Sequence, residues 1–78
     1  MNEHILLVMK WLKNPDKYTL AELEDNYESA HAANSADAAY CAYCAYATRS
    51  AADTTYWVND YFEGTDEDKQ TYIDALGE

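Results

Sequence analysis

The chain has 78 residues, a formal net charge of −10 and a pI near 4.3, from fifteen acids against five bases. That length allows one small domain, which buries only about 60–65 % of its unfolded surface. The acidity excludes direct binding to DNA, RNA or an anionic membrane surface, where like charges would meet. No run approaches the ~18 apolar residues of a spanning helix, and the segment 1–10 lacks the basic start and cleavage site of a signal peptide. The sequence therefore reads as a soluble, cytosolic protein. Its two cysteines, Cys41 and Cys44, are too few for a disulfide framework, so reduced thiols are expected.

Helix signals dominate from the start. Between Asn2 and Lys13, Ile5, Val8, Met9 and Leu12 recur at helical spacing, with Leu6, Leu7 and Trp11 widening the apolar face. Asn2 is suited to cap this first helix, and Asn14-Pro15 ends it, because the residue before proline is pushed out of helical geometry. Thr19-Leu20-Ala21-Glu22 then matches a capping box, with Tyr18 placed to staple onto Leu23.

From Leu20 to Glu63 there is neither glycine nor proline. An uninterrupted helix over that span is about 44 residues, or roughly 65 Å, against about 30 Å for a compact chain of this length. Either it breaks near Asn34-Ser35 or it projects and needs a partner; the thirteen alanines favour continuity. Gly64 stands where a left-handed residue closes such a helix. Thr65 is placed to cap a last helix over about 66–76, whose apolar stripe is Tyr72, Ile73 and Leu76 and which Gly77 closes. The expected fold is all-α: short helix, one long helix that can be broken, short helix, in a single domain over 1–78.

Two patterns in the long segment point to self-association. The stretch Ala38–Thr48 carries no charge on any face, and Tyr40, Tyr43 and Tyr46 recur every three residues. A helix apolar all round is buried all round. In addition, Leu20, Leu23, Tyr27, Ala30, Asn34, Asp37, Cys41, Cys44, Thr48, Ala51, Thr55, Val58 and Phe62 alternate three and four apart, as in a heptad seam. The expectation is a homodimer whose interface is Tyr40, Cys41, Ala42, Tyr43, Cys44 and Ala45.

Charge is segregated along the chain. Residues 1–20 sum to +1 and residues 21–78 to −11. Glu22, Glu24, Asp25 and Glu28 form one acidic group; Asp53, Asp60, Glu63, Asp66, Glu67 and Asp68 form another. Carboxylates in a helix's first turn are ordinary dipole partners. Spaced carboxylates can also imitate nucleic-acid phosphates and occupy a basic groove on another protein. Tyrosines on a helix serve as core, as interface contact area or as base-stacking platforms, and the last needs basic residues to hold the phosphates.

Catalytic and metal chemistry find little footing. Cys41 and Cys44 share a helix face, yet zinc wants four ligands and only His4 and His31 remain. A small-apolar packing role fits the cysteines better than redox chemistry, which needs a thiol near a base or a helix N-terminus. With Gly only at 64 and 77 there is no phosphate-cradling loop, and no serine or cysteine nucleophile has a base in register. The region Asp66–Asp68 lacks the glycine and closing glutamate of a calcium loop. Neither catalysis nor a cofactor is expected.

The stretch Ala38–Tyr46, the segment Tyr56-Trp57-Val58-Asn59-Asp60-Tyr61-Phe62-Glu63-Gly64-Thr65 and the run Gln70–Leu76 together resemble small acidic, Ala/Tyr-rich accessory proteins of tailed bacteriophages. The likeness covers residues 36–76 and leaves 1–18 unmatched. It implies an inhibitor of host defence, of the kind that blocks restriction, CRISPR or BREX systems, acting in the bacterial cytosol. The implied partner is a defence ATPase or nucleic-acid-handling enzyme, and the likeness carries no catalytic residues.

On this reading, Glu22, Glu24, Asp25, Glu28, Asp60, Glu63, Asp66, Glu67 and Asp68 meet a basic surface. Tyr56, Trp57, Tyr61 and Phe62 then supply aromatic contact. The alternatives are a structural or adaptor dimer without mimicry, and a small-molecule or nucleotide sponge around Tyr40, Tyr43 and Asp37.

Overall fold

A computed structural model describes residues 1–77 as helices joined by short turns. The first helix, α1 (Glu3–Lys13), runs into a 3₁₀ turn at Pro15–Lys17. It is followed by α2 (Leu20–Ala32), α3 (Ala36–Tyr43), which continues as a π-helical turn over Cys44–Thr48, α4 (Ala51–Glu63) and α5 (Lys69–Ala75). The all-α fold is as expected, and no strand occurs among the described residues.

The local start signals behave as their chemistry requires. Asn2 Oδ1 accepts from the His4 and Ile5 N–H groups at 2.9 and 3.2 Å. Thr19 and Glu22 close the capping box in both directions: the Thr19 N–H donates to Glu22 Oε1 at 2.9 Å, and the Glu22 N–H donates to Thr19 Oγ1 at 3.2 Å. Each pair satisfies donors that a helix start leaves open.

The 65 Å rod does not exist. The molecule measures 29 × 29 × 20 Å, and the segment 20–63 is divided twice. The first division lies at the expected Asn34-Ser35. Asn34 takes a left-handed conformation (φ 58°), the Ser35 N–H reaches back to Ala30 O at 3.2 Å, and the Asn34 N–H reaches His31 O at 3.1 Å. That is the Schellman arrangement with asparagine in the usual place of glycine. The second division was not anticipated. The Thr48 hydroxyl and the Arg49 N–H both donate to Cys44 O, at 2.7 and 2.8 Å. Arg49 then turns left-handed (φ 54°), and Ser50 caps α4 by accepting from the Asp53 N–H at 3.2 Å. A Ser-x-x-Asp start signal was therefore present within the alanine-rich run.

Gly64 contradicts its assigned role. Its φ is −89°, an ordinary right-handed value, and a Cβ there would meet Asp60 O at 3.5 Å, a normal contact. Asp68 rather than Thr65 caps the last helix, accepting from the Gln70 N–H at 3.0 Å, so α5 starts three residues later than expected. Gly77 is the left-handed closure (φ 87°). These geometries predict that two opposite substitutions, one to glycine and one away from it, both stabilise the fold. Arg49→Gly relieves a left-handed side chain and raises stability by about 0.5–1 kcal/mol. Gly64→Ala raises it by about 0.4–1 kcal/mol through the unfolded chain's lost freedom. Thermal melts of the two variants check both; a loss of stability in Gly64→Ala would mean its backbone is not right-handed.

Helix α3 lies at the centre, packed against α1, α2 and α4. Its small side chains allow that approach: Ala38, Cys41 and Ala45 are fully buried, and Ala39 and Ala42 nearly so. Around them pack Ile5, Val8, Met9 and Trp11 of α1, Leu23 and Ala30 of α2, Val58 and Tyr61 of α4, and Tyr72 of α5. Asn26 is buried among these because its amide bridges to α1, donating to His4 O at 3.2 Å with His4 Nδ1 3.2 Å from its oxygen. Burial of such a group is tolerated when both ends of the amide are partnered.

Candidate functional site

The fold divides the residues assigned to a dimer interface into two sets. Cys41, Ala42, Cys44 and Ala45 are buried inside the chain by its own helices. Tyr40 and Tyr43, from the same helix, stand 56 % and 47 % exposed. The intervals of three that suggested an apolar-all-round helix thus place alanine and cysteine inward and two tyrosines outward. Burial of the Cys41 thiol, reinforced by Cys44, Asp37 and Asp60, pushes its pKa up to about 12. Burial raises that of Cys44 as well, with Asp53 adding to it. Both are free thiols, and neither has the lowered pKa of a reactive one.

The exposed tyrosines belong to a band of rings that crosses three helices. On one side, Tyr27 of α2 lies edge-on to Tyr43 (5.5 Å between centroids) and stacks with Tyr46 and His31 (6.1 Å each). On the other, Tyr40 stacks on Trp57 of α4 at 5.3 Å, and Trp57 meets Tyr56 edge-on at 5.3 Å. Between the two groups a cleft of about 370 Å³ opens, lined by Tyr27, His31, Ala36, Ala39, Tyr40 and Tyr43. Tyr56, 64 % exposed, forms the outer end of the band. Tyr27, His31 and Tyr46 were not assigned to a site from sequence. The i, i+4 spacing of Tyr27 and His31 was the available signal.

Carboxylates flank the band on both sides. The Tyr46 hydroxyl donates to Glu24 Oε2 at 3.0 Å, and this bond, with the nearby charges of Glu24 and Glu28, raises the Tyr46 pKa. Asp53 and Asp60 stand three to four residues from Trp57 on α4, the spacing that shares a helix face. Asp60 also acts electrostatically on Cys41 of α3, and Asp53 on Cys44 of the π-helical turn that continues it. Asp25, Glu28, Asp60, Glu63 and Asp66 are exposed, as are Glu22, which is spent in the capping box, and Asp68, which caps α5.

Three assigned contact residues are placed elsewhere. Tyr61 is 4 % exposed and belongs to the core, and Phe62 is half-buried against Tyr61 and Tyr72. Glu67 is not a surface charge awaiting a partner: one of its oxygens accepts from the Tyr61 hydroxyl and the other from the Tyr72 hydroxyl. Tyr72 in turn accepts from the Asn2 N–H, so the network joins the start of α1 to α4 and α5. Asp37 does not face the cleft beside Tyr40; its carboxylate lies against Gly64 at the end of α4.

Among the described residues, no three His, Cys, Asp or Glu side chains converge as a metal site would require. No described helix is long and apolar enough to cross a membrane. Comparison of the chain with protein families, with curated proteins and with solved structures finds no match.

Proposed function

We propose that this chain is a non-enzymatic inhibitor that binds a basic surface of a nucleic-acid-handling protein stoichiometrically. The observation that carries this reading is the aromatic band with carboxylates along both flanks. Rigid rings supply contact area at low entropic cost, and the acids match a surface that evolved to hold phosphates. The resemblance to phage accessory proteins suggests the target class: a host defence ATPase or nuclease of a restriction-like or BREX system, met in the bacterial cytosol. Of the assigned contact residues, Tyr56 and Trp57 with Glu24, Asp25, Glu28, Asp60 and Glu63 form the working set. A homodimer through the exposed faces of Tyr40 and Tyr43 is the competing arrangement.

The test starts from a pull-down out of nuclease-treated bacterial lysate, followed by binding measurements on the purified target. Affinity is expected to fall about tenfold or more from low to high salt, and DNA is expected to compete. Reversing Glu24, Asp25 and Glu28 to lysine is expected to abolish inhibition while the melting temperature holds. An interaction indifferent to salt and to charge reversal would remove the mimicry. Sedimentation as a dimer, with no retained target, would favour the structural-dimer reading.

A further inference from the structure

We infer that the cleft between α2 and α3 is a receptor for a single cationic side chain, an arginine guanidinium. This inference rests on the proposed function, because that arginine would come from the partner's basic surface. Four aromatic side chains (Tyr27, His31, Tyr40 and Tyr43) line the cleft, and Ala36 and Ala39 form its remaining lining. Its volume of about 370 Å³ lies at the small end of ligand clefts, which run from about 300 to 1,000 Å³. That suits one long side chain rather than a helix.

Two features select a cation. Ring faces attract positive charge through their quadrupoles, and Tyr40 and Tyr43, the two most exposed tyrosines of the lining, leave ring surface open to it. The α2 side of the cleft is negative: Glu24 and Glu28 stand three residues before the lining Tyr27 and His31, and Glu24 accepts from the hydroxyl of Tyr46, whose ring stacks on Tyr27. A phosphate-bearing nucleotide would be repelled by those acids, although the rings alone would stack on its base. Between the two common cations, arginine fits better. Its planar, weakly hydrated guanidinium stacks on aromatic faces, whereas lysine's ammonium holds its water. Tyr40 is itself braced from behind by Trp57, so its ring is held rather than free to collapse into the cleft.

The experiment titrates the full chain with N-acetyl-arginine amide and with its neutral isostere N-acetyl-citrulline amide, following tyrosine ring protons by NMR. Saturable shifts confined to Tyr27, Tyr40 and Tyr43 are expected with the arginine derivative and none with citrulline. Tyr40→Ala and Tyr43→Ala, both at exposed positions, are expected to keep the fold and weaken binding about fivefold or more. Equal shifts with both probes would overturn the inference. So would arginine shifts spread evenly over the acidic surface, or binding unchanged in Tyr40→Ala. The outcomes separate from those of the proposed function. Salt-sensitive capture of a basic target that ignores Tyr40→Ala sinks only the arginine receptor. Arginine held in the cleft with no protein target retained sinks only the inhibitor reading.

Discussion

Ala42→Glu is expected to leave the chain without a cooperative fold. Ala42 is 1 % exposed on α3, the helix that α1, α2 and α4 all pack against. The substitution overfills that packing, at about 1–3 kcal/mol, and places a carboxylate where desolvation costs several kcal/mol more. At about 0.05–0.15 kcal/mol per residue, 78 residues give a total stability of only about 4–12 kcal/mol. The two costs together are of that order, so unfolding wins. The control is Ala52→Glu, exposed in the first turn of α4, where negative charge suits the helix dipole. Its melting temperature is expected to stay within about 3 °C of the parent. Circular dichroism melts of both variants decide the matter. A cooperative transition for Ala42→Glu near the parent's temperature would mean that α3 is not the central element.

The second large effect centres on Glu67. This carboxylate is the acceptor for two buried tyrosine hydroxyls, and its loss leaves Tyr61 without the acceptor its hydroxyl uses. Hydrogen bonds to a charged group contribute about 1.5–3 kcal/mol each. Glu67 is partly exposed and water can replace it in part, so Glu67→Ala is expected to cost about 2–3 kcal/mol for the pair. Glu67→Gln, which keeps one acceptor oxygen, is expected to cost about half that.

The pH dependence has a definite sign on each side. Burial acts to raise the Glu67 pKa, but the Tyr61 and Tyr72 hydroxyls and the positive N-terminus outweigh it and hold it below 4.5. The stability from Glu67 is therefore present above its unfolded value and lost as pH falls through the folded one. Burial and the bond to Glu67 raise the pKa of both Tyr61 and Tyr72 above 10.0. Their contribution is present below 10.0 and lost as pH rises through the folded values. Melting temperature against pH is expected to show both limbs, with Glu67→Gln flattening the acid limb and Tyr72→Phe the alkaline one. Curves parallel to the parent on both limbs would show that the network does not hold α5.

The network also explains why a short last helix stays in place. Helix α5 spans seven residues, and Tyr72 is its one buried side chain. A helix that short is marginal by itself. Tyr72 secures it twice over, by its edge-on contact with Phe62 and by the hydroxyl chain to Glu67 and Asn2.

How much of this was legible varied with the range of the interaction. The caps at Asn2 and Thr19, the stop at Asn14-Pro15, the all-α class and the closure at Gly77 followed from signals a few residues long. Such signals work because an open N–H is satisfied by a neighbour three residues away, whatever the rest of the chain does. The aromatic cleft was not legible, since Tyr27 and His31 meet Tyr40 and Tyr43 only after α2 folds back on α3. The same holds for Glu67, which the sequence offered as one more surface acid.

The sequence by itself determined that the chain is helical, acidic and built around an alanine-rich segment. Tertiary structure decided that the segment turns back on itself. Asn34 and Arg49 adopt left-handed backbone without glycine, at a local cost of about 1–2 kcal/mol each. Folding there brings Ala38, Ala42 and Ala45 against three helices of the same chain, and burial over that whole surface outweighs two strained turns. Local signals register the strain, and the compensating burial exists only in the folded molecule.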